Sequence, residues 1–214
     1  MDIARLDNLL LELTDSERAY CAGARYDWND AFRRGQQADI DGRHVHKIGN
    51  ATYALHQEGM PEGLSIVRNS RFNPVPEHVH DYVEISYVYR GSAPQVVNGT
   101  QLTLAQNEVL LLDAACPHAV GELGERDLML SIVISRPMLR RSLEQSLSPT
   151  SAVSQFLLNA LNDETDHRGH VHFRTGNSRR VRRYMQEMLC ELLEPTTASP
   201  QIVSRLFELL LVEL

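Results

Sequence analysis

The feature that most constrains this chain is a run of short, turn-separated extended segments between Gly63 and about Ser135. Leu64, Ile66 and Val67 open it. Asn73-Pro74-Val75-Pro76 follows as an extended lead-in, because each proline keeps its predecessor out of the helical region. Glu84–Arg90 reads as a strand that breaks at Gly91-Ser92, and Gln95–Val97 and Gln101–Leu104 flank Asn98-Gly99, a strong type I′ hairpin signal. Glu108–Leu112 is a short buried strand, Asp113–Pro117 loops to His118, and Asp127–Ile134 is a long apolar strand after the Gly121–Gly124 turn. About seven short strands at this spacing predict a sandwich or a barrel.

Helical patterns flank this β region. Ile3, Leu6, Leu9, Leu10 and Leu13 lie at helical spacing, and Thr14-x-x-Glu17 is a capping box that restarts a helix through about Ala24. Polar residues 35–43 read as a loop, and His44 to Leu55, with Val45, Ile48 and Tyr53, reads as one or two strands. After Pro137 helices are predicted at Met138–Ser146, at Ser151–Asn162 and from a Ser178 cap to about Leu193, with residues 163–177 a polar connector. Ser199-Pro200 starts a last helix, whose Leu206, Phe207, Leu209, Leu210, Leu211, Val212 and Leu214 leave almost no polar face. Such a helix is buried on several sides, so it is expected to complete an interface with a second copy or to continue into a missing segment.

A net charge of −7 argues against a chain that grips nucleic acid by itself. Cys21, Cys116 and Cys190 are widely spaced and form no C-x-x-C pattern, which fits reduced thiols in a cytoplasmic protein. The charged first helix is no signal sequence, and no apolar run approaches the ~18 residues of a membrane span.

The chemistry concentrates in His78-x-His80-x3-Glu84, answered by His118. Alternation along an extended strand puts His78, His80, Tyr82, Glu84, Ser86 and Val88 on one face, and Val79, Val83, Ile85, Tyr87 and Tyr89 on the other. These residues and His118 are the predicted effector pocket. His78, His80, Glu84 and His118 are also the right types to ligate a divalent transition metal such as Zn, Fe, Mn or Ni. The alternative is that they line a pocket as polar groups without metal, and no cofactor is expected on that reading. His44-x-His46 and His167, His170 and His172 are read as solvated, as is the Arg179-Arg180-x-Arg182-Arg183 cluster, and Cys116 as a small buried residue.

His78-x-His80-x3-Glu84-x6-Gly91, with Asn107-x10-His118, resembles the two cupin signatures. Phe72, Asn107, Asp113 and Ala115 stand where that pattern has turn residues. A wider resemblance covers nearly all of residues 63–214. Pro76-x-His78-x-His80-x3-Glu84-Ile85-x-Tyr87-Val88-x-x-Gly91, the Asn-Gly hairpin, Leu104-x3-Glu108-Val109-x-Leu111-Leu112, Pro117-His118 and the arginine-rich helical tail are similar to the sensor half of AraC/XylS-type transcription regulators.

The resemblance implies a mainly β fold with α, a cupin-like double-stranded β-helix (jelly-roll) barrel over 44–135. An N-terminal helical extension or arm over 1–43 precedes it, and an α-helical dimerisation segment over 136–214 follows. It further implies a non-enzymatic sensor of a small polar effector such as a sugar. This sensor would be a homodimer through Tyr184, Met188, Leu192, Leu206, Phe207 and Leu210, contacting DNA only through a helix-turn-helix domain absent from this chain. The runner-up is a metal-dependent cupin enzyme, an isomerase or dioxygenase. A third reading is a plain dimerisation module whose pocket has decayed.

Overall fold

Alternating apolar residues and tight turns fold the middle of the chain into two facing sheets. The computed structural model describes residues 1–28, 36–48, 57–146 and 151–214. In chain order the strands are β1 (Gln36–Ile40), β2 (Arg43–Ile48), β3 (Leu64–Arg68), β4 (Val75–His80), β5 (Val83–Arg90), β6 (Ser92–Val97), β7 (Thr100–Ala105), β8 (Val109–Leu112), β9 (His118–Val120), β10 (Leu128–Ile134) and β11 (His170–Phe173). The helices are α1 (Ile3–Leu11), α2 (Asp15–Cys21), α3 (Arg136–Ser146), α4 (Ala152–Leu161), α5 (Arg179–Leu193) and α6 (Ser199–Glu213). The first sheet runs β1-β2-β4-β9-β6-β7 and the second β11-β8-β5-β10-β3. Among the described pairs only β2–β4 is parallel. The result is a mainly β, cupin-like barrel with helices packed on one side.

The second sheet is buried on both faces, and its outward face is apolar throughout β5, β8 and β10. Val88, Leu110, Leu112 and Met129 point into the barrel and meet Ala93, Val97, Leu104 and Val120 of the first sheet. Their strand neighbours Ile85, Tyr87, Val109, Leu111, Leu130 and Ile132 point outward into a second cluster. That cluster also holds Leu6 and Leu10 of α1, Met138 and Leu139 of α3, Phe156 and Leu157 of α4, Met185 and Met188 of α5, and Phe207 and Leu210 of α6. Such a sheet must be covered on both sides, so one core runs through the arm, the barrel and the helical tail.

Three expectations change. Residues 36–43, expected as a loop, instead supply β1 and the turn of a hairpin with β2, at Asp41-Gly42, where both residues take positive φ (53° and 75°). Asp-Gly is a hairpin signature, masked here by polar flanks. The 163–177 connector contains β11, which pairs with β8; without it an apolar edge strand would lie open. The second helix stops at Cys21 rather than Ala24, ahead of Gly23 at φ 97°. In the 44–55 stretch β2 is present, while Tyr53 and Leu55 lie outside the described residues.

A buried ion cluster pins the arm to the barrel. The Thr14–Glu17 capping box forms as its sequence predicts, and the Glu17 carboxylate is wholly buried against the barrel. Arg71 Nε and Nη2 grip it bidentately at 2.9 Å each, the Arg71 backbone N–H donates at 2.9 Å, and Arg68 Nη2 donates at 2.8 Å. The same guanidinia donate to the carbonyls of Leu10, Leu11 and Glu12, which the end of α1 leaves without helical partners. Burial alone would raise the Glu17 carboxyl; hydrogen bonds from Arg71 and Thr14 and the Arg68 charge overcome this and lower it to about 2.

Arg71→Ala strands a buried carboxylate, and urea unfolding should show a loss of about 3–5 kcal/mol. The unfolded Glu17 carboxyl takes up its proton near its ordinary value of 4.5 and the folded one only near 2. Its contribution, on the order of 3 kcal/mol, is therefore complete above pH ~4.5 and lost as pH falls toward ~2. Glu17→Gln should flatten that part of the stability–pH curve.

Candidate functional site

Six polar side chains converge between the two sheets. β4 presents His78 and His80, and β9 sets His118 directly opposite His78. From the facing sheet β5 presents Glu84 and Ser86, and β10 presents Ser131, in register with Ser86. The single strand face expected from His78 to Val88 is broken at Asp81-Tyr82, where the chain crosses between sheets, so the histidines and Glu84 stand on facing walls rather than one; within β5 the alternation holds, since Glu84, Ser86 and Val88 share the inward face. Tyr82 lies in the break between β4 and β5, yet it too is buried, and its ring stacks on His80 at 4.1 Å.

The imidazoles form a compact group, with ring centroids 4.2 Å apart for His78–His118 and 5.0 Å for His80–His118. His78 Nδ1 lies 2.9 Å from the Pro76 carbonyl and His118 Nδ1 3.0 Å from the Cys116 carbonyl. These contacts fix Nδ1–H tautomers and leave each Nε2 as an acceptor. Glu84 Oε1 accepts from Ser131 Oγ at 2.7 Å and Ser86 Oγ at 3.0 Å, and Asn69 in turn donates to Ser131 at 2.9 Å. Glu84 Oε2 faces His80 Nε2 at 3.5 Å, and among the described residues neither ring nitrogen of His80 has a hydrogen-bond partner.

Burial pulls the His78 imidazole down to about 4. Burial, with His78 and His80 beside it, carries His118 well below the usual imidazole range. Burial works against the Glu84 charge too, but the His80 contact, the neighbouring imidazoles and the Ser131 hydroxyl hold its carboxyl below the usual carboxylate range. At neutral pH the site holds an ionised carboxylate near the neutral imidazoles of His78 and His118, and it favours hydroxyl donors or a cation.

A cavity of 50 Å³ opens on His78, Glu84 and His118, with Tyr82, Trp28, Asn69 and Ser131 among its walls. Val88 is inward but sits in the apolar cluster, away from this cavity. Ser86 and His80 contact Glu84 without lining the cavity. The sequence does not single out Trp28, Asn69 and Ser131, although a serine between Met129 and Val133 on an otherwise apolar strand is a readable signal. Gln95 escapes the sequence reading as well. It is buried between inward-facing Ala93 and Val97, donates to Met129 Sδ at 3.4 Å, and leaves its carbonyl oxygen without a partner among the described residues.

The donor set fits a metal ion at three of the four expected ligands. His80, Glu84 and His118 each offer an atom, and these lie within 4.8 Å of one another. The unpartnered His80 ring supports the fit, whereas His78 stands outside this set. Two of the cupin-pattern departures keep the backbone of the residues they replace, since Phe72 and Asn107 adopt positive φ (68° and 62°), the glycine region.

The remaining candidate residues scatter over the fold. His172 Nε2 meets Glu108 at 2.9 Å and His167 Nδ1 meets Asp113 at 3.3 Å, so neither is merely solvated. Cys116 is buried, and burial pushes its thiol up to about 12. Met188, Phe207 and Leu210 are fully buried in the chain's own core, which removes them as contacts for a second copy, whereas Tyr184, Leu192 and Leu206 are partly buried.

Two facing sheets, a small polar pocket between them and a helical cover make a mainly β, cupin-like barrel. The chain belongs to the AraC-like ligand-binding domain family, whose model matches residues 67–211. No curated protein matches the chain. Among solved structures, apo ToxT from Vibrio cholerae strain SCE256 is 13% identical, with a TM-score of 0.45 over 68% of this chain and 52% of that one. ToxT from Vibrio cholerae O395 bound to (E)-4-(8-methylnaphthalen-1-yl)but-3-enoic acid is 11% identical, with a TM-score of 0.43 over 68% of this chain and 53% of that one. KdgF from Halomonas sp. is 18% identical, with a TM-score of 0.33 over 35% of this chain and 72% of that one. This chain thus spans about half the length of the ToxT chains. Among the described residues no helix is long and apolar enough to cross a membrane.

Ser131→Ala removes the shorter hydroxyl bond to a buried carboxylate. Urea unfolding should show a loss of about 1–3 kcal/mol, with Glu84→Gln/Ser131→Ala costing less than the sum of the single changes because the charge is gone.

Proposed function

We propose that this chain is the effector-sensing region of an AraC-type transcription regulator and that a small polar molecule is sensed inside the barrel by Glu84, His78, His80 and His118. The observation that carries this reading is the buried Glu84, whose Oε2 lies 3.5 Å from His80 Nε2, beside a His80 ring with no hydrogen-bond partner among the described residues. Buried polar atoms left without good partners are costly, and a hydroxylated effector such as a sugar would satisfy them. The cavity of 50 Å³ holds little more than a water, whose share of the liquid is ~30 Å³. A sugar-sized effector must therefore displace wall residues, and Trp28, the chain's single tryptophan, is one of them.

Titration with a panel of sugars, sugar acids and polyols should give a saturable change in Trp28 fluorescence for the effector. Glu84→Gln should weaken that response at least roughly tenfold. Binding unchanged by Glu84→Gln would move the effector out of the barrel.

The reading includes a homodimer through the helical tail and DNA contact through a domain outside this chain. With Met188, Phe207 and Leu210 turned inward, the dimer face falls to Leu206 and the exposed Ile202, Leu209 and Val212 of α6, which recur at helical spacing. Light scattering should report a dimer that Leu209→Glu dissociates; an unchanged mass would exclude this face.

A second reading, a divalent metal held by His80, Glu84 and His118, is favoured by the closeness of their donor atoms. Such an ion would supply Lewis acidity, and the enzymatic alternative rests on it. Elemental analysis of untagged protein prepared without chelator should find near-stoichiometric Fe, Mn, Ni or Zn, lost in His80→Ala, if this reading holds. Mixed, sub-stoichiometric metal would leave the three residues to the effector.

A further inference from the structure

A polar cleft lies outside the barrel, on the other face of the same sheet. It has a volume of 380 Å³ and lies where α1, β5, the β7–β8 turn and α5 meet, with Asp7, Tyr89, Arg90, Asn107, Arg182 and Gln186 on its walls. That volume is within the ordinary range for a small-molecule site.

Its charges are unusual for this chain. The net charge is −7, and many of its arginines are ion-paired, among them Arg5, Arg43, Arg68, Arg71, Arg136, Arg168 and Arg180. Arg90 has no ion pair or hydrogen bond among the described residues. Among the described residues Arg182 is held by a neutral group: the Asn107 side-chain oxygen accepts from its Nη2 at 2.7 Å and its Nε at 3.3 Å, while the Asn107 amide donates to Tyr87 Oη at 2.7 Å. The one carboxylate on the cleft wall, Asp7, already accepts from the Tyr89 hydroxyl. Two guanidinia therefore share a wall with a single engaged carboxylate, and two like charges in one cleft favour an anion between them.

The site is also built rather than incidental. Asn107 is buried and takes the left-handed conformation at φ 62°, and Tyr87 is fully buried beneath it. This pair fixes Arg182 from below, so its guanidinium is oriented before any ligand arrives, which lowers the cost of binding.

We propose that this cleft is a second binding site, separate from the barrel interior, for a small organic anion whose carboxylate or phosphate sits between Arg90 and Arg182. The fork of a guanidinium suits either oxyanion, and Gln186 and the tyrosine hydroxyls would take polar groups on the rest of the molecule. The occupant would touch the arm at Asp7, the barrel at Arg90 and the tail at Arg182 together. Its binding would thus favour the packed arrangement of all three.

Isothermal titration of the full chain at fixed ionic strength tests this, with citrate as the carboxylate probe and glycerol 3-phosphate as the phosphate probe. At least one should bind one-to-one and saturably, and the stronger of the two names the headgroup. Arg90→Gln removes an exposed side chain without partners, so the fold is unaffected, and it should weaken binding at least roughly tenfold. Arg180→Gln, an exposed arginine paired with Glu213 outside the cleft, should leave binding unchanged, as should Glu84→Gln in the barrel. The proposal is overturned if neither probe binds, or if Arg90→Gln and Arg180→Gln weaken binding equally. Loss of binding in Glu84→Gln alone would also overturn it, by placing the anion in the barrel.

Discussion

The structure depends on one constraint: the second sheet is buried on both faces, and its outward face is apolar throughout β5, β8 and β10. A sheet with one wet face could stand as an independent barrel wall. This one cannot, because Ile85, Tyr87, Val109, Leu111, Leu130 and Ile132 point away from the barrel and must be covered. The cover comes from both ends of the chain, α1 from the N-terminal side and α3 to α6 from the C-terminal side. The Glu17–Arg68–Arg71 cluster then ties the arm to the barrel by charge where α1 ties it by apolar contact. A change at the barrel wall is therefore a change in what the helices pack against, which a sensor needs in order to report through its tail.

Strand β5 concentrates the consequences. Its inward residues Glu84 and Ser86 belong to the histidine-lined interior, and its outward residues Tyr87 and Tyr89, with Arg90 at its end, belong to the arginine cleft. Burial on both sides makes the strand rigid and makes each polar group on it expensive. Glu84 keeps its charge because two serine hydroxyls and an imidazole surround it, and Tyr87 keeps its hydroxyl because Asn107 meets it.

Much of this was legible in the sequence, and the failures share a cause. Period-two alternation placed Glu84, Ser86 and Val88 on one face correctly but ran His78, His80 and Tyr82 into the same strand, across a break at 81–82 that carries no glycine or proline to announce it; Asn98-Gly99 marked its hairpin, a local signal. His78, His80 and His118 could be grouped through the spacing of a family pattern. What the sequence hid was pairing at a distance. Nothing near Glu17 announces Arg71, and nothing in the 163–177 connector announces that β8 needs an edge partner. The apolar faces of α5, with Met188, and of α6, with Phe207 and Leu210, are real, but such a face does not say whether it meets the same chain or another. Val88 shows the same limit on a smaller scale, where parity gives the face of a strand and not how far along the barrel a cavity extends.

The most direct test of the shared core is equilibrium urea unfolding followed by two probes, Trp28 fluorescence for the barrel cavity and the helical circular-dichroism signal for the tail. One core predicts coincident transitions with a single midpoint. A helical signal lost in a separate, earlier transition would contradict the account, because the tail would then be an appendage on a barrel that stands without it.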